Sequence, residues 1–405
     1  MSIFTSLENQ EVPVPKAMHA LQKQIQSNCD ISDANFSGAF SLCGLLLRMR
    51  ELYKWETGLA PWEEPEHGLI LGWVEQREEL WQELEGRGCE PLRLEGEELD
   101  PFEVERINQR LASGNLLYGA GYVLGMKPSF LLAEPVEFQL VEGLRVYTVD
   151  RELCRDIFAT PVMRQGERVI ARRQAMASLL WDVVQEQRPS VRPALDYALA
   201  GYGLNSQDLL RHPGTSGAVY QRLVAEELRV WVYHEIGEAL EDAFPGDVWH
   251  QMVANTCQTL AEVFIRAVKD LLADTHPQGL LARMIQEDRK PSLGLYLAMM
   301  RPLSKMLFPD IFAVFPDFVR SGNWSEVDQA RCKAHAAGRN LAARLVDIHA
   351  AADPFDHART VDRIIEEVIR PLGIIEGMEV EADEEPARDG SAVETSASRD
   401  RGSPI

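Results

Sequence analysis

Apolar residues recur every three or four positions along most of the chain, which is the spacing of helices that bury one face. The pattern is clearest between residues 223 and 274, where a Phe-Pro-Gly break at 244–246 separates two apolar stripes. Because the break is short, we predict two antiparallel helices, with Asp247 as the N-cap of the second. The stripes consist of Leu228, Val232, Ile236, Ala239 and Ala243 in the first helix, and of Val253, Cys257, Leu260, Phe264, Ala267 and Leu271 in the second.

A clear strand pattern runs from Val136 to Val149, where apolar and polar residues alternate on both sides of Glu142-Gly143. This alternation around a turn predicts a β-hairpin. The glycine-rich run Tyr118–Gly125 follows a predicted helix, so we interpret it as a turn or as close backbone packing rather than as a nucleotide-binding loop. The segment Val169–Gln187 is predicted to be a helix. The sequence therefore predicts a mainly α protein, with a multi-helix bundle-like architecture and one β-hairpin near 136–149.

The pattern also suggests how the chain is divided. We predict an acidic N-terminal helical domain over 1–135, a β-hairpin joint over 136–150 and a C-terminal helical domain over 151–375. Residues 376–405 contain almost no large apolar side chains, so this acidic tail is predicted to be disordered.

The strongly negative net charge of the chain argues against some classes of binding partner. The 405 residues include 41 Lys and Arg and 63 Asp and Glu, which gives a formal net charge of −22. Such a surface repels phosphate backbones and anionic lipids, so we expect no nucleic-acid partner and no membrane partner. A protein partner or a small molecule remains compatible with this composition, and the oligomeric state stays open.

The cysteines suggest the compartment. The six cysteines are scattered and form no C-x-x-C pair. The first residues show no basic and apolar signal-peptide pattern, so we predict a cytoplasmic protein with reduced thiols.

The candidate chemistry lies in the first of the two helices. His234 and Glu238 are four residues apart, so both can bind one divalent metal such as zinc, and Glu235 is placed to act as a general base. Glu262 is the first choice for a third ligand. Cys257 and His250 are the alternatives, because His234 is expected to lie level with Cys257, and Glu241 with His250.

This stretch resembles the HExxH helix of zinc metallohydrolases, with Glu238 in place of the second histidine. The leading hypothesis is a metal-dependent enzyme, most simply a hydrolase. The alternative is a non-catalytic helical interaction protein in which the same residues form a salt-bridge face with Arg266 or Lys269.

Four short runs carry a family resemblance: NCDISDA (Asn28–Ala34), LYKWE (Leu52–Glu56), PWEE (Pro61–Glu64) and YHEIGE (Tyr233–Glu238). With them the chain resembles an uncharacterised family of soluble bacterial helical proteins. The resemblance implies no known activity, cofactor or site. From its residues alone, NCDISDA is predicted to be a capping loop before a helix.

A small basic cluster stands out in this acidic chain. Arg168, Arg172 and Arg173 fall together near the start of a predicted helix. Two roles are open to them, binding of an anionic ligand and pairing with the acidic first domain, and we favour the pairing.

Overall fold

The computed structural model describes residues 16–353 and 355–375. Within these ranges helices predominate, but they surround a five-stranded mixed sheet, and a small two-stranded hairpin is also present. The protein therefore has an α+β fold, and the prediction of a mainly α bundle with one hairpin is wrong. The predicted disordered tail, 376–405, lies outside the described residues.

The elements up to residue 172 include all the strands. In chain order they are α1 (Lys16–Phe36), α2 (Leu42–Thr57), α3 (His67–Leu84), β1 (Leu92–Leu94), β2 (Glu97–Leu99), α4 (Val104–Leu111), β3 (Leu117–Tyr122), β4 (Pro128–Val141), β5 (Leu144–Arg155), β6 (Val162–Gln165) and β7 (Arg168–Arg172).

The elements after residue 172 are helical. They are α5 (Arg173–Glu186), α6 (Arg192–Gly201), α7 (Ser206–Arg211), α8 (Gly217–Leu240), α9 (Val248–Asn255), α10 (Leu260–Thr275), α11 (Leu280–Gln286), α12 (Lys290–Met299), α13 (Pro302–Leu307), α14 (Pro309–Ser321), α15 (Ser325–Ala350) and α16 (His357–Ile364). Across the described ranges, none of these helices combines the length and the apolar character needed to cross a membrane.

The large sheet has the strand order β3-β4-β5-β7-β6 and is almost closed on itself. Strands β5 and β7 are parallel, and the other neighbouring pairs are antiparallel. The two edge strands approach each other, because the backbone N–H of Ala120 in β3 donates to Oε1 of Gln165 in β6 at 3.2 Å. The glycine-rich run is thus strand β3, and a Cβ at Gly119 would lie only 3.1 Å from that same oxygen.

Strand β7 replaces the start of a predicted helix. Val169, Ile170 and Ala171 are all buried, so the strand forms a continuous apolar run rather than an alternating one. Periodicity cannot distinguish such a run from a buried helical segment. The helix predicted from Val169 therefore begins only at Arg173.

The predicted hairpin at Glu142-Gly143 is confirmed, although it belongs to a larger sheet. Both turn residues have positive φ, 48° and 82°, as a tight hairpin turn requires. The ladder continues in both directions well beyond 136–149, from Pro128 to Arg155.

The NCDISDA run is part of helix α1 and not a capping loop. Asp33 is buried, and its Oδ1 lies 3.0 Å from Nζ of Lys127, which is also 3.4 Å from Oδ1 of Asp156. Lys127 donates as well to the hydroxyl of Ser32 at 2.9 Å. These buried polar contacts connect α1 to the sheet.

The basic cluster is paired with acids. Both guanidinium Nη atoms of Arg168 donate to Glu105 in the acidic first part of the chain, which confirms the predicted pairing for this residue. Arg172 forms a buried bidentate pair with Glu152, at 2.8 and 2.7 Å.

The segment 223–274, predicted to form two helices, contributes to three: α8, α9 and α10. Helix α9 takes up part of the second predicted helix, and α10 begins only at Leu260. Asp247 makes no side-chain cap hydrogen bond, whereas the Thr259 hydroxyl accepts from the N–H of Glu262 at 3.3 Å. Because α9 occupies residues 248–255, the residues of α10 that lie beside α8 come later in the chain than predicted.

Helices α8 and α10 touch through their backbones. A Cβ added at Gly237 would lie 2.1 Å from the carbonyl oxygen of Ala273. This close approach places His234 beside Asp274 rather than beside Cys257. Glu241, expected near His250, instead lies 3.4 Å from Nε2 of His335.

Candidate metal centre

The carboxylate of Asp274 holds the imidazole ring of His234. Nδ1 of His234 lies 2.7 Å from Oδ1 of Asp274, whose other oxygen accepts the Tyr296 hydroxyl at 3.0 Å. Although burial opposes protonation, Asp274 raises the pKa of His234 well above its ordinary value. The contact fixes the ring and leaves Nε2 as the nitrogen available at the site, 3.9 Å from Oδ1 of Asp270.

Both cations that contact Glu238 lie at the same carboxylate oxygen, Oε1. Nη2 of Arg164 lies 3.0 Å and Nζ of Lys269 2.9 Å from Oε1 of Glu238. Although burial works against the charge, Lys269, His234 and Arg164 hold the pKa of Glu238 at about 2. Oε2 makes no hydrogen bond with any residue of the described ranges.

His234, Glu238 and Asp270 converge. Each offers one ligand atom, and these atoms lie within 4.8 Å of one another. The side chains of His234 and Glu238 are both 19% exposed and that of Asp270 is 47% exposed, so the cluster is open to solvent on the Asp270 side. Neighbouring residues still desolvate part of the Asp270 carboxyl group and raise its pKa, while the charges of His234 and Arg301 act in the opposite direction.

Glu235 lies beside this cluster and is almost fully buried, at 9% exposure. Burial and the neighbouring charge of Glu238 raise its pKa to about 7. In the part of the chain that the structure describes, its carboxyl group has no hydrogen-bond partner. A carboxyl group in this setting can exchange a proton near neutral pH.

Glu262, the first choice for a third ligand, lies elsewhere. Its side chain is fully buried and accepts from the backbone N–H groups of Gly125 at 2.9 Å and Gln258 at 2.8 Å, and from Nε of Arg266 at 2.9 Å. Glu262 therefore ties α10 to the loop before β4. Neither Cys257 nor His250 joins the three-residue cluster, in which Asp270 takes the third position.

Sequence reasoning missed Asp270, and a signal for it existed. Asp270 and Asp274 are four residues apart and border the polar face of α10 that carries Lys269. The predicted pairing of α8 with α10 placed Glu262 nearer to His234 than Asp270. Arg164 comes from strand β6, far away in sequence, and no local pattern pointed to it.

Two family models match the chain. The N-terminal domain of a family of unknown function (DUF6866) matches residues 20–172, and the C-terminal domain of the same family matches residues 177–367. The chain belongs to the DUF6866 family. This confirms the predicted membership of an uncharacterised family.

The DUF6866 N-terminal model contains the NCDISDA, LYKWE and PWEE runs, and the C-terminal model contains YHEIGE. The two models meet between residues 172 and 177, where β7 passes into α5. The domain boundary predicted at 136–150 stays a prediction. No curated protein and no solved structure matches the chain.

Proposed function

We propose that this DUF6866 chain is a metal-dependent enzyme, most simply a hydrolase. Nε2 of His234 and one carboxylate oxygen each from Glu238 and Asp270 would bind a divalent ion. The observation that carries the proposal is the convergence of these three ligand atoms within 4.8 Å of one another.

The surroundings of His234 support a ligand role. A metal-binding histidine usually donates its other ring N–H to a carboxylate, which orients the ring and increases its basicity. Asp274 occupies that position at 2.7 Å from Nδ1, and the Tyr296 hydroxyl holds Asp274 in turn. This chain of contacts orients the free nitrogen of His234.

The surroundings of Glu238 also fit. Arg164 and Lys269 contact the same oxygen, Oε1, so Oε2 remains free to coordinate. Ligating carboxylates are commonly held by hydrogen bonds of this kind. One imidazole and two carboxylates form a donor set that suits zinc.

The chemistry follows from the number of ligands. Three protein ligands would leave a further position for water, and a divalent ion held there would make such a water acidic enough to act as a nucleophile near neutral pH. Glu235, beside the cluster, would accept the proton of that water. Hydrolysis is the simplest reaction that this set of groups performs.

The second candidate is a non-catalytic interaction protein. It is favoured by the ion pairs of Glu238 with Arg164 and Lys269, which are those of a structural salt-bridge face. Exposed apolar residues on strand β4, among them Phe138 and Leu140, would serve as the contact surface. In either case we place the protein in the cytoplasm, in keeping with its six free cysteines.

Zinc binding tests the proposal. We expect protein stripped with a chelator to take up roughly one zinc ion per chain, because the three ligands form a single site. His234→Ala and Asp270→Asn should each abolish this uptake, measured by calorimetric titration and by metal analysis after gel filtration. His250→Ala is the matched control, because this exposed histidine lies outside the cluster and its loss should leave zinc uptake unchanged.

Glu235→Gln separates binding from catalysis. The variant should keep its zinc and lose hydrolysis of ester, amide or phosphoester test substrates, because only the proton acceptor is removed. Wild-type protein that binds no zinc, or variants at 234 and 270 that bind it as well as wild type does, would contradict the metal centre and favour the salt-bridge interpretation.

A further inference from the structure

A cavity of about 280 Å³ lies between the large sheet and helix α8. On the sheet side, Glu137 of β4, Thr148 of β5 and Ala171 of β7 are direct cross-strand neighbours, so their side chains point to the same face. Helix α8 supplies a second wall, and residues 283–289, from the end of α11 to the start of α12, contribute a third. The α8 residues have the i, i+3, i+4, i+7 spacing of one helix face: Ala225, Leu228, Arg229 and Val232.

The buried part of the cavity wall is apolar. Four of the lining residues belong to one hydrophobic core cluster: Val146, Ala171, Leu228 and Val232. Val141 and Tyr233 also line the cavity and pack against the same cluster. A ligand in the cavity would therefore place an apolar part against the protein core and displace water from it.

The remaining wall is charged, and basic groups outnumber acidic ones. Four arginines and three glutamates line the cavity: Arg173, Arg229, Arg283 and Arg289, and Glu137, Glu226 and Glu287. Four positive and three negative charges leave an excess of one positive charge. The whole chain has a formal net charge of −22, so this local excess runs against the composition of the protein.

Two of the glutamates pair with arginines of the same wall. Oε2 of Glu226 lies 2.7 Å from Nη2 of Arg289, and Glu287 pairs with Arg283. Nη1 of Arg289 has no partner among the described residues and is not buried. The two pairs cancel each other's charges, and Arg289 still has N–H groups to donate to a ligand.

Arg229 is the arginine best placed to bind an anion. Its side chain is 62% exposed, and Oε2 of Glu137 lies 4.0 Å from its Nη2, beyond hydrogen-bond range. Within the described ranges its guanidinium group makes no hydrogen bond, and the Thr148 hydroxyl makes none either. Arg173 donates through Nη1 to Asp150 at 3.1 Å and keeps Nη2 free. An anionic ligand could use these donors without breaking an existing hydrogen-bonded ion pair.

We propose that this cavity binds a small carboxylic acid, with the carboxylate at Arg229 and an apolar body against Val146 and Leu228. The inference goes beyond the proposed metal centre and does not depend on it. A guanidinium group matches the two oxygens of a carboxylate geometrically. One excess positive charge balances a monoanion, whereas a doubly charged phosphate would reverse the balance. The cavity is at the lower end of the usual size of ligand pockets, which restricts the ligand to a small molecule.

The probes for this site are benzoate and isovalerate, each titrated calorimetrically into chelator-treated full-length protein so that no metal binds the carboxylate. We expect saturable binding of at least one of them, at one site per chain. Arg229→Gln should weaken this binding by about tenfold or more, because it removes a charged hydrogen-bond donor. Ala225→Phe should abolish it, because the new ring would fill the cavity while every charge remains. Arg222→Gln is the matched control: this exposed arginine lies two turns earlier on α8, outside the cavity, and its loss should leave the affinity unchanged.

The neutral amides of the two acids test the role of charge, and they should bind at least tenfold more weakly than the acids. Failure of both acids to bind saturably, or equal affinities in wild type and Arg229→Gln, would overturn the site. Amides that bind as tightly as the acids, or inorganic phosphate that binds more tightly than they do, would overturn the assigned ligand class. His234→Ala should bind the acids as wild type does, so a negative zinc experiment would leave this site standing.

Discussion

Gly237→Ala is expected to lower the free energy of unfolding by about 3 kcal/mol, because it forces apart two helices whose backbones touch. The new Cβ would lie 2.1 Å from the carbonyl oxygen of Ala273 and 3.1 Å from the Cα of Gly279. Both are backbone atoms, which cannot rotate away as the end of a side chain can. Denaturant unfolding followed by circular dichroism measures the change.

Gly72→Ala is the control for this substitution. Gly72 also lies inside a helix, α3, but no atom lies within 4 Å of a Cβ built there. Alanine should therefore stabilise that helix by roughly 0.5 to 1 kcal/mol. Because Ala273 lies between Asp270 and Asp274, Gly237→Ala should also weaken zinc binding. A Gly237→Ala protein as stable as wild type would show that α8 and α10 are farther apart than described.

Arg172→Met should be equally damaging, with an expected loss of about 3 to 5 kcal/mol, because it removes both side-chain hydrogen bonds to a buried carboxylate. Only Arg155, at 3.6 Å, then remains near that charge. Glu152 is buried and receives two hydrogen bonds from Arg172, at 2.8 and 2.7 Å. Methionine fills much of the same volume but supplies no charge. The measurement is again denaturant unfolding, at neutral pH where Glu152 is ionised.

The neighbouring pair provides the control. Arg173 lies 3.1 Å from Asp150 in a more exposed position, so Arg173→Met should change stability by about 0.5 kcal/mol or less. Adding Glu152→Gln to Arg172→Met should recover part of the loss, because the buried charge that lost its hydrogen-bond donors is gone. If Arg172→Met and Arg173→Met prove equally mild, the pair is solvated and does not support the sheet.

Features set by neighbouring residues were predictable from the sequence. The spacing of apolar residues over Trp324–His349 predicts one helix, and α15 occupies Ser325–Ala350. The Glu-Gly turn of the hairpin is in the predicted place. Asn205 and Ser206 both have side chains suited to an N-cap, and it is Asn205 that accepts from the N–H groups of residues 207 and 208. In each case spacing or turn chemistry within a few residues determines the structure.

Features set by distant residues were not predictable. Strand β3 depends on its glycines approaching Gln165, and β7 depends on parallel pairing with β5, so neither strand shows an alternating pattern of its own. The NCDISDA run has the composition of a capping loop, yet it is helical because Lys127 and the sheet surround its polar side chains.

The candidate site also combines a part that local spacing predicts with a part that depends on distant residues. His234 and Glu238 share one helix face, so their proximity followed from their spacing alone. Asp270 required the correct pairing of α8 with α10, and this pairing depends on the contact at Gly237 and on helix α9. The roles of these residues in metal binding and of Glu235 in catalysis stay predictions until the zinc experiments are done.

Within the described residues all seven strands lie before residue 173, and this order has a consequence for synthesis on the ribosome. Since N-terminal parts of a chain emerge first, every strand of the sheet is available for pairing before α8 leaves the exit tunnel. Val169 and Ala171 belong to the same apolar cluster as Leu228 and Val232 of α8. Until that helix arrives, the nascent chain carries an uncovered apolar surface, and this is the stage at which chaperones would bind it.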